Sequence, residues 1–124
     1  ELQKQDAKIL VPKADFNSLE MSHYIYTDAS QLKISSYGIP EPIFGEQVTE
    51  KTIDFVIVPL VIFDQKGYRT GYGKGFYDRF LAKCSPSTLF IGVSFFEPVE
   101  MLSDVHSNDI PLHYCITPKT IYKF

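Results

Sequence analysis

The chain has 124 residues, a net charge of −3 and a hydrophobic content of 44%. This length predicts one domain, residues 1–124, and the acidic balance excludes the broad basic field that draws proteins to nucleic acid or acidic membranes. No stretch reaches the roughly 18 apolar residues of a membrane span, and the first residues lack a signal-peptide pattern, so we expect a cytoplasmic protein without nucleic-acid or membrane partners.

The first third of the sequence predicts two strands, one helical turn and a loop. "AKILVPKA" is a short apolar run, which we expect to form a buried strand that stops at Val11 because Pro12 cannot donate to a ladder. "EMSHYIYTD" alternates and predicts a second strand, and "DASQLKIS" offers Asp28 or Ser30 as the N-cap of one helical turn. "SYGIPEPIFGE" has two prolines and two glycines, which predict a loop or linker without regular structure.

The most apolar stretch of the chain is "TIDFVIVPLVIFDQKG". Its valine, isoleucine and phenylalanine residues do not alternate with polar ones, which is typical of a parallel strand buried on both faces. Pro59 divides the run. We therefore expect a central strand at about residues 54–58, an extended segment from Leu60 to Phe63 and a turn at "DQKG".

The remaining sequence predicts a helix and two further strands. "GFYDRFLAKC" places Phe76, Phe80 and Leu81 at helical spacing and stops before "SPS". "STLFIGVSFF" predicts another apolar strand, and "DIPLHYCITPKTIYKF" predicts one more strand followed by a fraying end. The order strand, loop, helix, strand is a βαβ unit, so we expect an α/β fold with a largely parallel sheet.

A glycine-rich loop, "RTGYGKGFYD", lies between the central strand and the helix. Glycines at Gly71, Gly73 and Gly75 allow positive φ and let backbone N–H groups approach an anion closely. Lys74 supplies a mobile charge and Arg69 a planar fork, and both suit phosphate oxygens. In α/β sheets, ligands bind where such strands give way to helices, so this loop is the candidate phosphate site.

Asp78 lies one turn into the helix, where its carboxylate is placed to hold Mg²⁺ while phosphates fill further coordination positions. The loop nevertheless matches neither common nucleotide motif. A Walker loop needs Ser or Thr after Gly-Lys, but Gly75 follows Lys74, and a Rossmann fingerprint needs GxGxxG where this loop has GxGxG. A flexible turn without a ligand is therefore an alternative to a phosphate cradle.

The longer segment "VPLVIFDQKGYRTGYGKGFYDRFL" resembles the signature of the 5-formyltetrahydrofolate cyclo-ligases, also called 5,10-methenyltetrahydrofolate synthetases. "AKILVPKA", "GIPEP" and "GVSF" with "NDIPLHYCITP" resemble further segments of that family, so the resemblance covers most of the chain. It implies a three-layer α/β/α sandwich with a largely parallel central sheet. Members of that family are longer than this chain. The resemblance therefore also implies an N-terminal third, lacking here, that adds contacts to ATP and to the folate.

The resemblance implies an activity as well. The family converts 5-formyltetrahydrofolate and ATP to 5,10-methenyltetrahydrofolate, ADP and phosphate with Mg²⁺: the formyl oxygen attacks the γ-phosphorus, and a neighbouring folate nitrogen then closes the ring and expels phosphate. Such chemistry depends on in-line positioning and on neutralised phosphate charge, which a glycine loop with cations supplies. ATP, Mg²⁺ and the folate are the implied ligands of a protein that we expect to be monomeric.

The resemblance also assigns roles to individual residues. Lys74, Arg69 and Tyr77 take the catalytic roles, and Asp78 and Asp109 take the metal positions. The implied ATP-phosphate loop comprises Arg69, Gly71, Tyr72, Gly73, Lys74, Gly75, Phe76 and Tyr77. The implied folate pocket is lined by Ile39, Pro40, Glu41 and Tyr77.

Several residues also fit structural roles. Asp109 precedes Ile-Pro, as turn residues often do, and "PEP" fits a rigid loop. Thr70 stands where the family usually has Leu, and Glu97 stands in a region where Gln is frequent. The cysteines and histidines lack partners at metal-ligand spacing, so we expect free buried thiols and structural or surface imidazoles. These residues are Cys84, Cys115, His23, His106 and His113.

Alternatives to the cyclo-ligase activity follow from the same residues. A noncatalytic folate- or nucleotide-binding paralogue, or an inactive fragment of the same fold, would keep the loop without turnover. A different phosphotransferase using the loop is a third hypothesis.

Overall fold

A computed structural model describes residues 7–71 and 75–124 of the chain. The chain divides into two compact units, Glu1–Glu50 and Lys51–Phe124. No helix among the described residues is long and apolar enough to cross a membrane. The strands of the first unit are β1 (Leu10–Asp15), β2 (Glu20–Ile25), β3 (Leu32–Ile34), β4 (Pro40–Pro42) and β5 (Gln47–Val48). The second unit contains β6 (Phe55–Val58), β7 (Ile62–Phe63), β8 (Arg69–Thr70), α1 (Phe76–Lys83), β9 (Leu89–Val93), β10 (Tyr114–Ile116) and β11 (Ile121–Lys123).

The first unit is antiparallel. Its three-stranded sheet has the order β1-β2-β5, and β3 pairs with β4 in a separate ribbon. Asp28 caps the predicted helical turn, a 3-10 turn at Ala29–Gln31, by accepting the Ser30 N–H at 2.9 Å. Gln31 is fully buried, and its amide group donates to the carbonyls of Ile25 and Phe44 at 2.9 and 2.8 Å. This side chain therefore joins the turn to the segments before and after it.

The prediction that the first strand stops at Val11 was wrong. β1 continues through Pro12, which lies opposite His23 on an edge strand. The Ile9 carbonyl accepts the Tyr26 N–H at 2.7 Å, so these two residues form a hydrogen-bonded pair. Because bonded and non-bonded pairs alternate along an antiparallel ladder, Pro12 occupies a non-bonded position, where its backbone nitrogen faces away from β2. A proline at such an edge position costs no ladder bond.

The prediction of no regular structure in "SYGIPEPIFGE" was also wrong, for the same reason. Pro40 and Pro42 lie two residues apart in β4, opposite Ile34 and Leu32. The flanking bonds, including Ser35 N–H to the Ile39 carbonyl at 2.9 Å, place both prolines at non-bonded positions. Alternate prolines are thus compatible with a short edge strand.

The second unit contains the predicted βαβ arrangement. Its four-stranded sheet has the order β11-β10-β9-β6, in which β6, β9 and β10 are parallel and β11 is antiparallel. The helix α1 lies between β6 and β9 in sequence and buries Phe80 and Leu81, as predicted. The described chain as a whole combines this mixed sheet with antiparallel strands and a single α-helix.

Three expectations about this sheet were wrong. β6, which was predicted to be a central strand, lies at one edge of the four-stranded sheet. It is also not buried on both faces: Val56 and Val58 are buried, but Phe55 and Ile57 are 62% and 61% exposed. The end of the chain does not fray, because the Thr117 N–H donates to the Thr120 carbonyl at 2.9 Å and closes a turn that returns β11 alongside β10. Because Phe55 and Ile57 are exposed, described residues do not cover this face of the sheet at β6.

Candidate functional site

The best-defined part of the predicted site is a cluster around Ile110. Arg69, at the start of β8, donates from Nη2 to Asp78 Oδ1 at 2.9 Å and from Nη1 to the Ile110 carbonyl at 2.5 Å. The Ile110 N–H donates to the same Asp78 oxygen at 3.1 Å. The Arg69 side chain is 6% exposed and that of Asp78 is 28% exposed. The Arg69 guanidinium therefore holds the Asp78 carboxylate in place at the protein surface.

The glycine loop runs from this cluster into α1. Gly71 is exposed, and a Cβ added there would meet no atom of the described residues within 4 Å, while Gly75 precedes the helix with φ of +69°. The left-handed conformation at Gly75 is the kind that glycine adopts without steric cost. Tyr72, Gly73 and Lys74, which complete the predicted phosphate loop, lie outside the described residues.

Tyr77 and Phe76 occupy the first turn of α1 and are partly buried. Burial raises the pKa of the Tyr77 phenol, while the nearby Arg69 charge acts in the opposite direction. The phenol is consequently a neutral O–H group at physiological pH. Tyr77 is thus suited to donating a hydrogen bond and not to acting as a base.

The two predicted metal positions are linked through Ile110. Asp109 precedes Ile110, whose backbone holds Asp78 and Arg69. The Asp109 Oδ2 accepts the His106 N–H at 2.9 Å, and the Asp109 N–H donates to the His106 carbonyl at 3.0 Å. Asp109 therefore has the turn role that its sequence context also allowed.

The cluster offers a metal ion one carboxylate, that of Asp78. No group of three or more His, Cys, Asp or Glu side chains in residues 7–71 and 75–124 has the arrangement of a metal site. Both described bonds of Asp78 fall on Oδ1, and no described residue bonds to Oδ2. Because Mg²⁺ uses one or two carboxylates and takes its other ligands from water and phosphate, Asp78 is sufficient as an anchor.

Three of the four predicted folate residues, Ile39, Pro40 and Glu41, lie in the first unit, on and beside β4, whereas Tyr77 lies in the second unit. Ile39 is 51% exposed, and Pro40 is also exposed. Glu41 Oε2 accepts the Ala14 N–H at 2.9 Å, on the edge of β1 that faces away from β2. One carboxylate oxygen of Glu41 therefore has a structural use, as a link between two strands.

A carboxylate to which the sequence analysis assigned no role proves central to the same region as Asp78. Asp64, 1% exposed, accepts N–H groups from Lys66 at 2.9 Å and Tyr68 at 3.0 Å on Oδ1, and from Leu102 at 3.1 Å on Oδ2. It organises the predicted "DQKG" turn, where Gly67 has φ of +92°. The only signal in the sequence was an acidic residue that directly follows an apolar strand.

Some polar side chains outside this cluster take part in internal hydrogen bonds. His113 Nδ1 accepts the Phe90 N–H at 2.9 Å, and Glu97 accepts a hydrogen bond from the Tyr122 hydroxyl. Cys84 and Cys115 form no disulfide within the described part of the chain and are buried, as predicted. Burial raises the pKa of Cys115 to about 11, so its thiol is unreactive at neutral pH.

At the carboxyl end of β9, two aromatic side chains are unusually accessible. Phe95 is 85% exposed and Phe96 is 71% exposed. Ligands of α/β sheets bind at this edge, where exposed rings offer flat surfaces for stacking. The run "SFF" after an apolar strand was the signal that the sequence analysis left unused.

The sequence of this chain is similar to those of known proteins. The sequence profile of the 5-formyltetrahydrofolate cyclo-ligase family matches residues 1–114. A 5-formyltetrahydrofolate cyclo-ligase from Haemophilus influenzae is 36% identical over 98 residues, which are 73% of this chain and 52% of that protein. The chain spans about half the length of the curated relatives that it matches.

Solved structures show the same fold. The NMR structure of Aquifex aeolicus 5,10-methenyltetrahydrofolate synthetase superposes with a TM-score of 0.79 and 33% identity, covering 99% of this chain and 64% of that one. A synthetase from Mycoplasma pneumoniae gives a TM-score of 0.70 at 24% identity, covering 93% of this chain and 58% of that one. With a profile match over most of its length, the chain belongs to the 5-formyltetrahydrofolate cyclo-ligase family.

Proposed function

We propose that the protein converts 5-formyltetrahydrofolate and ATP to 5,10-methenyltetrahydrofolate, ADP and phosphate in the presence of Mg²⁺. The observation that carries the proposal is the position of Asp78. It lies in the first turn of α1, directly after the glycine loop, and Arg69 and Ile110 hold one of its oxygens while the other faces no described partner. Membership of the cyclo-ligase family supports the identity of the substrates.

The proposed reaction has two steps. The formyl oxygen attacks the γ-phosphorus, the bond from that phosphorus to ADP breaks, and a phosphorylated imine forms. The neighbouring folate nitrogen then attacks the former formyl carbon and loses its proton, while the carbon–oxygen bond breaks and phosphate leaves. Neither step requires a strong protein base, which agrees with the neutral phenol of Tyr77.

The residues of the loop would serve positioning and charge neutralisation. Backbone N–H groups from Gly71 to Gly75, with Lys74, would hold the phosphates in line with the formyl oxygen. Asp78, with Asp109 as its neighbour across Ile110, would hold Mg²⁺, whose charge offsets that of the phosphate oxygens. Arg69 would act through Asp78, because its guanidinium already bonds to that carboxylate and to Ile110.

We also propose a fold, a cellular location and an oligomeric state for the protein. In this proposal residues 1–124 form a single domain of the three-layer α/β/α class, and the protein acts in the cytoplasm as a monomer on small-molecule substrates. The parallel pairing of β6 with β9 and of β9 with β10 supports the central sheet of that class.

A turnover assay tests the activity. With ATP, Mg²⁺ and 5-formyltetrahydrofolate, the near-ultraviolet absorbance of the methenyl product should rise, and Lys74→Ala should slow that rise sharply because it removes a phosphate contact. Lys66→Ala, an exposed lysine in the neighbouring turn, is the matched control. No rise with the parent protein, beside the Haemophilus influenzae cyclo-ligase as a positive control, would contradict the enzymatic function.

A noncatalytic folate- or nucleotide-binding protein is the second candidate. It is favoured by the internal use of Glu41, whose carboxylate bonds to Ala14, and of Arg69, whose guanidinium bonds to Asp78. Calorimetric titration with 5-formyltetrahydrofolate in the absence of ATP separates the candidates. Heat of binding in a protein that shows no turnover would favour the binding function.

A further inference from the structure

A histidine side chain acts as a hydrogen-bond acceptor at the point where β10 begins. The ladder between β9 and β10 starts with Tyr114 opposite Ile91. One residue earlier, the His113 N–H donates to the Phe90 carbonyl at 2.9 Å, and the His113 Nδ1 accepts the Phe90 N–H at 2.9 Å. The two rings also pack together, with their centroids 4.9 Å apart. Phe90 is 6% exposed, so its N–H depends on the imidazole for an acceptor.

The accepting nitrogen of His113 can bind a proton instead. A neutral imidazole accepts at one ring nitrogen and donates at the other, whereas an imidazolium only donates. The lone pair that receives the Phe90 N–H is the one that a proton would occupy, so protonation of Nδ1 breaks this bond and brings two donors together. Histidine changes its charge between about pH 5 and about pH 8. The bond is therefore present at neutral pH and is lost as the pH falls.

The ionisable groups around His113 do not take over this bond. On the neighbouring strands and the turn beside Leu112 these groups are Asp54, Asp64, Lys66, Cys115, Tyr122 and Lys123. Burial raises the pKa of the Cys115 thiol to about 11, and the hydrogen bond with Glu97 raises the pKa of the Tyr122 phenol, so both are neutral. Lys123 pairs with Tyr114, so it lies on the other face of the sheet. The described bond of the imidazole goes to Phe90 and to none of these groups.

His113 also lies close in sequence to the residue that holds Asp78. The Leu112 N–H donates to the Gly67 carbonyl at 2.8 Å, and the Ile110 N–H donates to Asp78 Oδ1 at 3.1 Å. We propose that His113 is a proton-sensitive latch: its protonation releases the start of β10 from β9 and loosens the contact of Ile110 with Asp78. The inference concerns backbone contacts and does not rest on the proposed catalytic function.

Amide hydrogen exchange, followed by NMR, tests the latch. After correction for the intrinsic pH dependence of exchange, protection of the Phe90 N–H should fall about tenfold or more from about pH 7.5 to about pH 5. The midpoint of this loss should coincide with the protonation of His113, read from its imidazole signals, and the Ile110 N–H signal should shift at the same pH. Leu89 is the internal control, because its N–H donates to the Asp54 carbonyl at 2.9 Å and a carbonyl does not titrate here.

Three results of this experiment would overturn the proposal. The first is protection of Phe90 that does not change with pH, and the second is an Ile110 signal that does not follow it. The third is an equal loss of protection at Leu89, which would indicate general unfolding in acid.

Matched variants decide whether the imidazole is responsible. His113→Asn places an amide oxygen as far along the side chain as Nδ1, so it should accept the Phe90 N–H at both pH values and abolish the acid response. His106→Asn removes an exposed imidazole and should respond as the parent does. An acid response in His113→Asn equal to that of the parent would refute the latch. In the parent itself, the nitrogen–nitrogen coupling across the bond between Phe90 and His113 should be present at neutral pH and disappear in acid, and a coupling that persists in acid would refute it too.

Discussion

Two carboxylates near the β7–β8 hairpin receive backbone N–H groups from distant parts of the chain, but they differ in what they leave available. Asp64 is 1% exposed, and both of its oxygens accept backbone N–H groups. Asp78 is 28% exposed, and its described bonds fall on one oxygen. An acid satisfied on both oxygens by backbone is a structural element, whereas an acid satisfied on one oxygen at the surface retains capacity for a ligand.

Substitutions of Asp64 and of Asp78 should therefore have opposite effects on stability and on ligand binding. Removing Asp64 should unfold the region, and removing Asp78 should leave the fold intact but weaken the metal site. Substitutions of Arg69 and Gly75, which position Asp78, should reduce stability by amounts between those for Asp64 and Asp78.

Asp64→Ala should have the largest effect on stability. It leaves the partly buried N–H groups of Lys66, Tyr68 and Leu102 without their acceptor, which should lower the free energy of unfolding by about 3 kcal/mol. Urea denaturation measures the loss. The exposed Asp104, changed to Ala, is the control and should cost less than about 0.5 kcal/mol. Equal midpoints for the two variants would refute the structural role of Asp64.

Arg69→Ala should cost about 2 kcal/mol, since it leaves the Ile110 carbonyl without the guanidinium donor and takes the charged partner from the partly buried Asp78 carboxylate. Arg69→Lys should recover less than half of that loss, because an ammonium group lacks the planar fork that reaches both acceptors. Urea denaturation measures the stability of both variants and of the parent. A lysine variant as stable as the parent would show that the two contacts of Arg69 are not used together.

The starting conformation of α1 gives a smaller effect. Gly75→Ala should cost about 1 kcal/mol, because φ of +69° strains a residue with a Cβ. The nearest atom to that Cβ is the end of the flexible Arg79 side chain, so crowding adds little. Gly71→Ala is the matched control, since its Cβ would enter open space without a left-handed φ. Thermal unfolding that is the same for both variants would exclude strain at Gly75.

The features predicted correctly from the sequence are those that short-range patterns determine. The helical spacing of Phe80 and Leu81 predicted α1, and the Asp28 side chain predicted the capped turn, because each depends on residues within one or two turns. The place of Asp78 in the first turn of α1 follows from the same spacing, whereas its metal-binding role stays a prediction.

The features that were missed depend on partners far away in sequence. The role of Pro12 within β1 is determined by the register with β2, and the role of Asp64 depends on Leu102, 38 residues later. Exposure of Ile57 depends on which segments cover the sheet, which an apolar run does not specify. The contact of Arg69 with the Ile110 carbonyl, 41 residues away, has no local signal either, while the role of Arg69 as a phosphate ligand stays a prediction.

Asp78→Asn should have the smallest effect on stability and the clearest effect on ligand binding. The amide oxygen of Asn can still accept the Ile110 N–H, so only the charge of the contact with Arg69 is lost, at a cost of less than about 1 kcal/mol. Binding of Mg²⁺ with ATP, measured by calorimetry, should weaken about tenfold or more, because a neutral amide replaces the carboxylate ligand. Asp104→Asn, at an exposed position, should bind as the parent does. If Asp78→Asn also binds as the parent does, then Asp78 is structural like Asp64, and the distinction between the two carboxylates fails.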